Sequence, residues 1–110
     1  MSSKVFCPLK TKYYNLFKEG RKKWEFRRLK SRVARSALKH GVGTPIELTH
    51  GYSDDSLWGR IVEIKRFPSV DAIPAHVLKE GACNPSGLLK LLGDGEIVAI
   101  KVALRGEFGK

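Results

Sequence analysis

Apolar and polar positions along this chain switch between two periods, and the switches cut it into short elements. Lys4 to Leu9 (KVFCPL) is an apolar run of strand length, which Pro8 ends or confines to a sheet edge. Thr11 is placed to cap a helix running to about Glu19, because Tyr13, Leu16 and Phe17 recur at i, i+3 and i+4 and Gly20 stops the pattern. Lys22 to Leu29 returns to period 2, with Trp24 and Phe26 on one side and Glu25 and Arg27 on the other. Ser31 then caps a second helix over Arg32 to His40, closed by Gly41. Its narrow apolar face is Val33, Ala34, Ala37 and Leu38, and Arg32, Arg35 and Lys39 line the opposite face.

The second half is richer in strands. Thr44 to His50 reads as a strand with Ile46 and Leu48 inward, and a polar loop follows it. Leu57 to Phe67 is a long strand whose alternation breaks at Ile61-Val62, which predicts a bulge, while Gly59 marks a bend. Pro74 to Glu80 reads as a short helix with Val77 and Leu78 inward. Asn84-Pro85 is a cap followed by a first-turn proline, opening a leucine-rich helix to Leu92. Glu96 to Arg105 is β-branched and almost continuously apolar, the pattern of a central strand. The order β-α-β-α-β-β-α-α-β lacks the regular crossovers of a doubly wound parallel sheet. It predicts an α+β fold, a small mostly antiparallel β-barrel with peripheral helices.

Composition narrows the class. At 110 residues, 42% of them hydrophobic, the chain can build one core, and without linker or repeat it reads as a single domain over 1–110. No apolar run reaches the roughly 18–20 residues needed to span a bilayer. Met1-Ser2-Ser3-Lys4 is followed by no hydrophobic segment, so no signal peptide is expected. Cys7 and Cys83 lack any CxxC spacing and read as free thiols in a reducing compartment, with a single disulfide as the alternative. These features predict a cytoplasmic, monomer-sized protein.

Charge changes the picture more. The formal net charge is +10, and ten of the cations lie between Lys18 and Lys39 against only Glu19 and Glu25. Charge spread evenly would serve solubility. Charge concentrated in one fifth of the chain is the footprint of a polyanionic partner, nucleic acid first, with an acidic protein or membrane surface behind it. His40, His50 and His76 share no i, i+4 spacing and neither cysteine is near a histidine in sequence, so no metal is expected. Serine-hydrolase, zincin, P-loop and dinucleotide motifs are all absent, and no cofactor is expected.

The densest chemistry lies in Gly20 to Arg28, where five cationic side chains, one carboxylate and two large aromatics share nine positions. If Trp24 and Phe26 enter the core, Glu25 and Arg27 share the opposite surface or line a cleft. A carboxylate two residues from a guanidinium on one face can hold it for a phosphate, or can itself meet a base edge; the alternative is a plain surface ion pair.

At these residues the chain resembles the ASCH domain family. The family motif G-x-K-x-x-E-x-R, after a helix and opening a strand, is met by Gly20, Lys22, Glu25 and Arg27. The Lys-Glu-Gly end of the first helix, His50-Gly51-Tyr52 and the closing strand Ile97 to Leu104 also look like the family, so the resemblance covers about residues 4–105. It implies a PUA-like barrel with a cleft for RNA or a modified nucleoside. Some members are N4-acetylcytidine amidohydrolases and others ribonucleases. The resemblance matches Lys22 to the amidohydrolase lysine and Glu80 to a distant glutamate, while Glu25 stands where those enzymes carry a threonine.

The expected function is a nucleic-acid-binding module, RNA preferred. A base or modified nucleoside would enter near Lys22, Glu25 and Arg27, with Tyr52 or Trp58 for stacking. Phosphates would lie along Arg21, Lys23, Arg28, Arg32, Arg35 and Lys39. One alternative is a hydrolase in which Lys22 and Glu80 form the acid–base pair and Glu25 is a base or positioner. The other is a regulatory domain that meets an acidic protein.

Overall fold

In the computed structural model, which describes residues 4–105, the chain runs β1 (Val5–Leu9), α1 (Thr11–Lys18), β2 (Trp24–Arg28), α2 (Arg32–His40), β3 (Pro45–His50), β4 (Ser56–Phe67), a 3-10 turn (Val70–Ala72), α3 (Ala75–Glu80), α4 (Pro85–Leu92) and β5 (Ile97–Leu104). The order is the expected one, with the 3-10 turn added. The start of the chain read for a leader, and the last five residues of the expected domain, lie outside the described residues.

The five strands form one sheet in the order β1-β3-β4-β5-β2. Only β1 and β3 run parallel; the other three pairings are antiparallel. β5 lies between β4 and β2, and Ile97, Val98, Ala99 and Ile100 are all buried, as a near-continuous apolar strand requires. The β4–β5 ladder slips between Ile61 and Glu63, so Val62 is the bulged residue. Gly59 meets β5 so closely that a Cβ there would lie 2.7 Å from the Ala103 carbonyl oxygen. Bulge and glycine bend the sheet into a curled half-barrel, and with its helices it makes an α+β fold.

Curling gives the sheet two faces with different covers. The inner face carries Val5, Cys7, Ile46, Leu48, Ile61, Val98 and Ile100, closed by Tyr14 and Phe17 of α1 and by Val33, Ala34 and Ala37 of α2. On the outer face, Trp24, Phe26, Ile97 and Ala99 form a second core under Val70, Ile73, Val77, Leu78, Leu88 and Leu92. The remaining outer face, over β1, β3 and β4, is left with Phe6 and Trp58 exposed.

Two local expectations are corrected. Thr11 is the first helical residue of α1 rather than its cap; Lys10 holds the cap position with no side-chain bond, and the Thr11 hydroxyl lies 2.6 Å from His50 Nε2. The fully buried residues of α1 are Tyr14 and Phe17, while Tyr13 is half-buried at the margin of the inner core and Leu16 is half-buried. The other helix starts hold: Ser31 Oγ accepts from Ala34 N, and the Asn84 side chain accepts from Gly87 N.

Candidate functional site

The site begins with how α1 ends. Gly20, at φ 78°, closes a Schellman motif in which Gly20 N donates to Phe17 O and Arg21 N to Leu16 O. Lys22 N also reaches Leu16 O. This turn fixes the entry to β2, and period-2 alternation does the rest. Trp24 and Phe26 enter the outer core, and Glu25 and Arg27 point to the inner side.

There they meet the seam of the half-barrel. β1 and β2 are the two edges of the sheet, and Arg27 joins them: Nη2 donates to the Pro8 carbonyl oxygen at 2.8 Å and lies 3.5 Å from Cys7 Sγ. Its Nε donates to Glu25 Oε2 at 2.8 Å. Glu25 Oε1 has Lys22 Nζ at 3.7 Å, beyond hydrogen-bond reach, and accepts no hydrogen bond from a described residue. Lys22 Nζ donates to the Gly81 carbonyl oxygen at 2.6 Å and is surrounded by the rings of Tyr13, Phe17 and Phe26 at 5.4–5.7 Å. The Lys22 side chain is 1% exposed and that of Glu25 9%, so both charges are largely withdrawn from solvent. Carboxylate, carbonyl and aromatic faces replace the lost hydration.

These three side chains form one wall of a pocket of about 260 Å³. Pro8, Leu9 and Lys10 line it from the end of β1, Tyr13 from α1, and Cys83 and the leucines 88, 91 and 92 from the α4 region. The pocket is mostly apolar with a few convergent polar groups, the usual composition of a small-ligand site. Burial pushes up the Tyr13 phenol, with Cys83 and Glu25 adding to the shift. Burial also pushes the Cys7 thiol from 9.0 up to about 12, aided by Glu25 and opposed by Arg27 and Lys22. Burial would lower Arg27, but Glu25 and the neighbours behind it outweigh burial and hold the guanidinium above its ordinary value. Both cysteines are free thiols.

The other residues singled out from the sequence are spread over the surface. The Glu80 carboxylate accepts from Trp24 Nε1 at 2.8 Å and has Lys101 Nζ at 3.7 Å; it does not line the pocket, and it makes no ion pair with Lys22. The Trp24 indole, with Lys101 and His76, holds Glu80 below the usual carboxylate range. Arg21 and Lys23 are exposed at the Lys22 end of β2, Arg21 beside Glu19 at 3.7 Å. Arg28 is exposed at the other end of that strand, next to the exposed Arg32, Arg35 and Lys39 of α2. Lys23 and Arg28 are five residue steps apart along the strand, about 16 Å. Tyr52 is 88% exposed and packs on Phe6, and Trp58 lies on the outer face below Lys4.

Sequence reasoning missed Tyr13, Lys10, Cys83 and the α4 leucines as pocket residues. The spacing reads Tyr13 as part of the buried stripe with Phe17, a place that Tyr14 takes. The leucines look like core from spacing alone, yet Leu91 is 45% exposed at the pocket mouth. Among the described residues no group of His, Cys, Asp and Glu could hold a metal ion, and no helix is long and apolar enough to cross a membrane.

This architecture has solved counterparts. The ASCH protein of Zymomonas mobilis matches with a TM-score of 0.70 at 13% identity, over 91% of this chain and 66% of that one. The chain thus spans about two-thirds of that protein's length. Hypothetical protein PH0355 matches with a TM-score of 0.70 at 17% identity, over 93% of this chain and 99% of that one. The fold is therefore ASCH-like. No protein-family profile matches the chain, and no curated protein matches it.

Proposed function

We propose that this protein is a nucleic-acid-binding module, RNA preferred, that takes a base or modified nucleoside into the seam pocket. One observation carries the reading. Glu25 Oε1 is an acceptor that takes no hydrogen bond from a described residue, 3.7 Å from the Lys22 ammonium, in a mostly apolar pocket. Acceptor and donor side by side match the neighbouring amino or imino donor and ring or carbonyl acceptor of a base edge. The aromatic and leucine walls suit its flat faces. The net charge of +10 supplies the attraction for the attached phosphates, and the ASCH-like fold agrees with this reading.

The hydrolase alternative needs Lys22 and Glu80 to act together on one substrate. Glu80 is engaged by Trp24 and Lys101 outside the pocket, and the carboxylate beside Lys22 is Glu25, itself held by Arg27. Binding is the better supported role. Calorimetric titration with nucleoside monophosphates and a short single-stranded RNA tests it. Lys22→Met and Leu91→Trp, the second filling the pocket mouth without touching its charges, should each weaken binding about tenfold or more, the effect of losing roughly 1.4 kcal/mol. Unchanged affinity in both variants sinks the pocket as the binding site. Turnover of RNA or an N-acylated cytidine that Glu80→Gln abolishes would restore the hydrolase.

A further inference from the structure

The pocket opens beside a surface that none of the described helices α1 to α4 covers. Phe6, Glu47 and Trp58 stand in one rung across β1, β3 and β4, on the outer face. Phe6 is 42% exposed and Trp58 36%. Tyr52 packs its ring 6.2 Å from that of Phe6. Neighbouring strands lie roughly 4.8 Å apart, so Phe6 and Trp58 are about 10 Å from each other with their rings on the same side. The rung is continuous with the pocket. Pro8, two residues along the same face from Phe6, lines the pocket, and Gly51 N donates to Leu9 O at 2.8 Å, which sets Tyr52 beside the end of β1. Tyr52 is near enough for the Arg27 guanidinium to feel its phenol.

We propose that Tyr52, Phe6 and Trp58 form a stacking track for single-stranded RNA, on which the nucleotides flanking the pocketed one lie. The proposal rests on the reading of the pocket given above and extends it from one nucleotide to a strand. Three exposed rings on an open sheet offer faces to bases, and only unpaired bases have faces to offer in return. Lys4 Nζ sits 5.0 Å from the Trp58 ring centroid and 2.7 Å from Glu47. Exposed pairs of this kind are weak, so a base displaces the ammonium from the ring and leaves it free for the adjoining phosphate. Asp54 and Asp55 follow Tyr52 in its loop and repel a phosphate there, which directs the strand over the sheet rather than along the loop. A second copy of this chain is the weaker occupant, because two molecules of charge +10 repel each other.

Fluorescence anisotropy with a labelled single-stranded RNA of about ten nucleotides, its duplex form, and unlabelled nucleoside monophosphates as competitors tests the track. Stacking of one base supports Trp58→Ala and Phe6→Ala each weakening the single strand by about fivefold to a hundredfold. Monophosphate affinity is expected to stay unchanged in both, and the duplex to bind the wild-type protein more weakly than the strand. Trp58→Phe should keep most of the affinity. Single-strand affinity unchanged in both alanine variants, while Lys22→Met still loses monophosphate binding, overturns the track and leaves the pocket standing. Loss of monophosphate binding in Trp58→Ala also overturns it, since the ring would then belong to the pocket. Sedimentation as a dimer that Trp58→Ala dissociates assigns the surface to a second copy.

Discussion

Lys22, Glu25 and Arg27 at the seam, and Arg32, Arg35 and Lys39 on α2, are sets of charges drawn from the same basic stretch of sequence, and they live in opposite environments. The first set is largely out of water, bound in a chain from Gly81 through Glu25 to Pro8. The second is exposed and makes no ion pair with a described residue. Charge density in a sequence therefore does not say what a charge is for. Buried charges hold the fold in one shape and offer fixed donors and acceptors; exposed ones are free to follow a polyanion and contribute little to stability.

Perturbing each set in turn sharpens or breaks that contrast. The largest effect is expected in reactivity within the buried set. The Cys7 thiol, against Arg27, should label with a thiol reagent about a thousandfold or more slower than in urea, while Cys83 on the pocket labels in the native protein. Its raised value also fixes a pH window. Both folded and unfolded thiols are neutral below about 9; as pH rises from 9.0 towards about 12 only the unfolded thiol ionises, and the fold loses stability there. Rapid native labelling of Cys7 would break the picture of a closed interior.

Glu25→Ala leaves Lys22 and Arg27 as uncompensated buried cations and should cost about 3–5 kcal/mol, read from urea unfolding. Arg27→Lys keeps the charge but not the fork that reaches both Glu25 and Pro8, and should cost about 1.5–3 kcal/mol by the same measurement. Ser31→Ala removes the cap that anchors the ridge-bearing helix, at about 1 kcal/mol. Replacing Arg32, Arg35 and Lys39 together by glutamine should change stability least, within about 0.5 kcal/mol per site. Each phosphate contact so removed should flatten the salt dependence of single-strand binding by about 0.7 in log–log slope. A triple variant as unstable as Glu25→Ala would erase the distinction between the two sets.

Much of the fold was legible because local rules and tertiary packing agree. Ser31 and Gly41 bracket α2 as their chemistry demands, the broken alternation at Ile61-Val62 is the bulge, and the apolar run of β5 is interior. Glu25 and Arg27 are brought to one side because strand alternation is a local property, and Lys22 joins them from the glycine-closed turn just before β2. What stayed hidden depends on partners distant in sequence. Tyr13 and Tyr14 are equally good candidates for a buried stripe until β3 and His50 claim Tyr14. Glu80 looked suited to meet Lys22, but the Trp24 indole claims it first. Leu91 reads as core, yet its helix turns it to the pocket mouth.

The Arg27 bridge has a consequence for solubility. A curled sheet with two free edges carries two rows of unpaired backbone groups, each able to recruit a strand from another molecule. Here the edges face one another. Pro8 removes a donor from β1, and its own carbonyl on that edge is taken by a guanidinium instead of a foreign strand. A side chain thus ends the sheet where a backbone ladder does not, and the contact that shapes the pocket is also a guard against edge-to-edge aggregation.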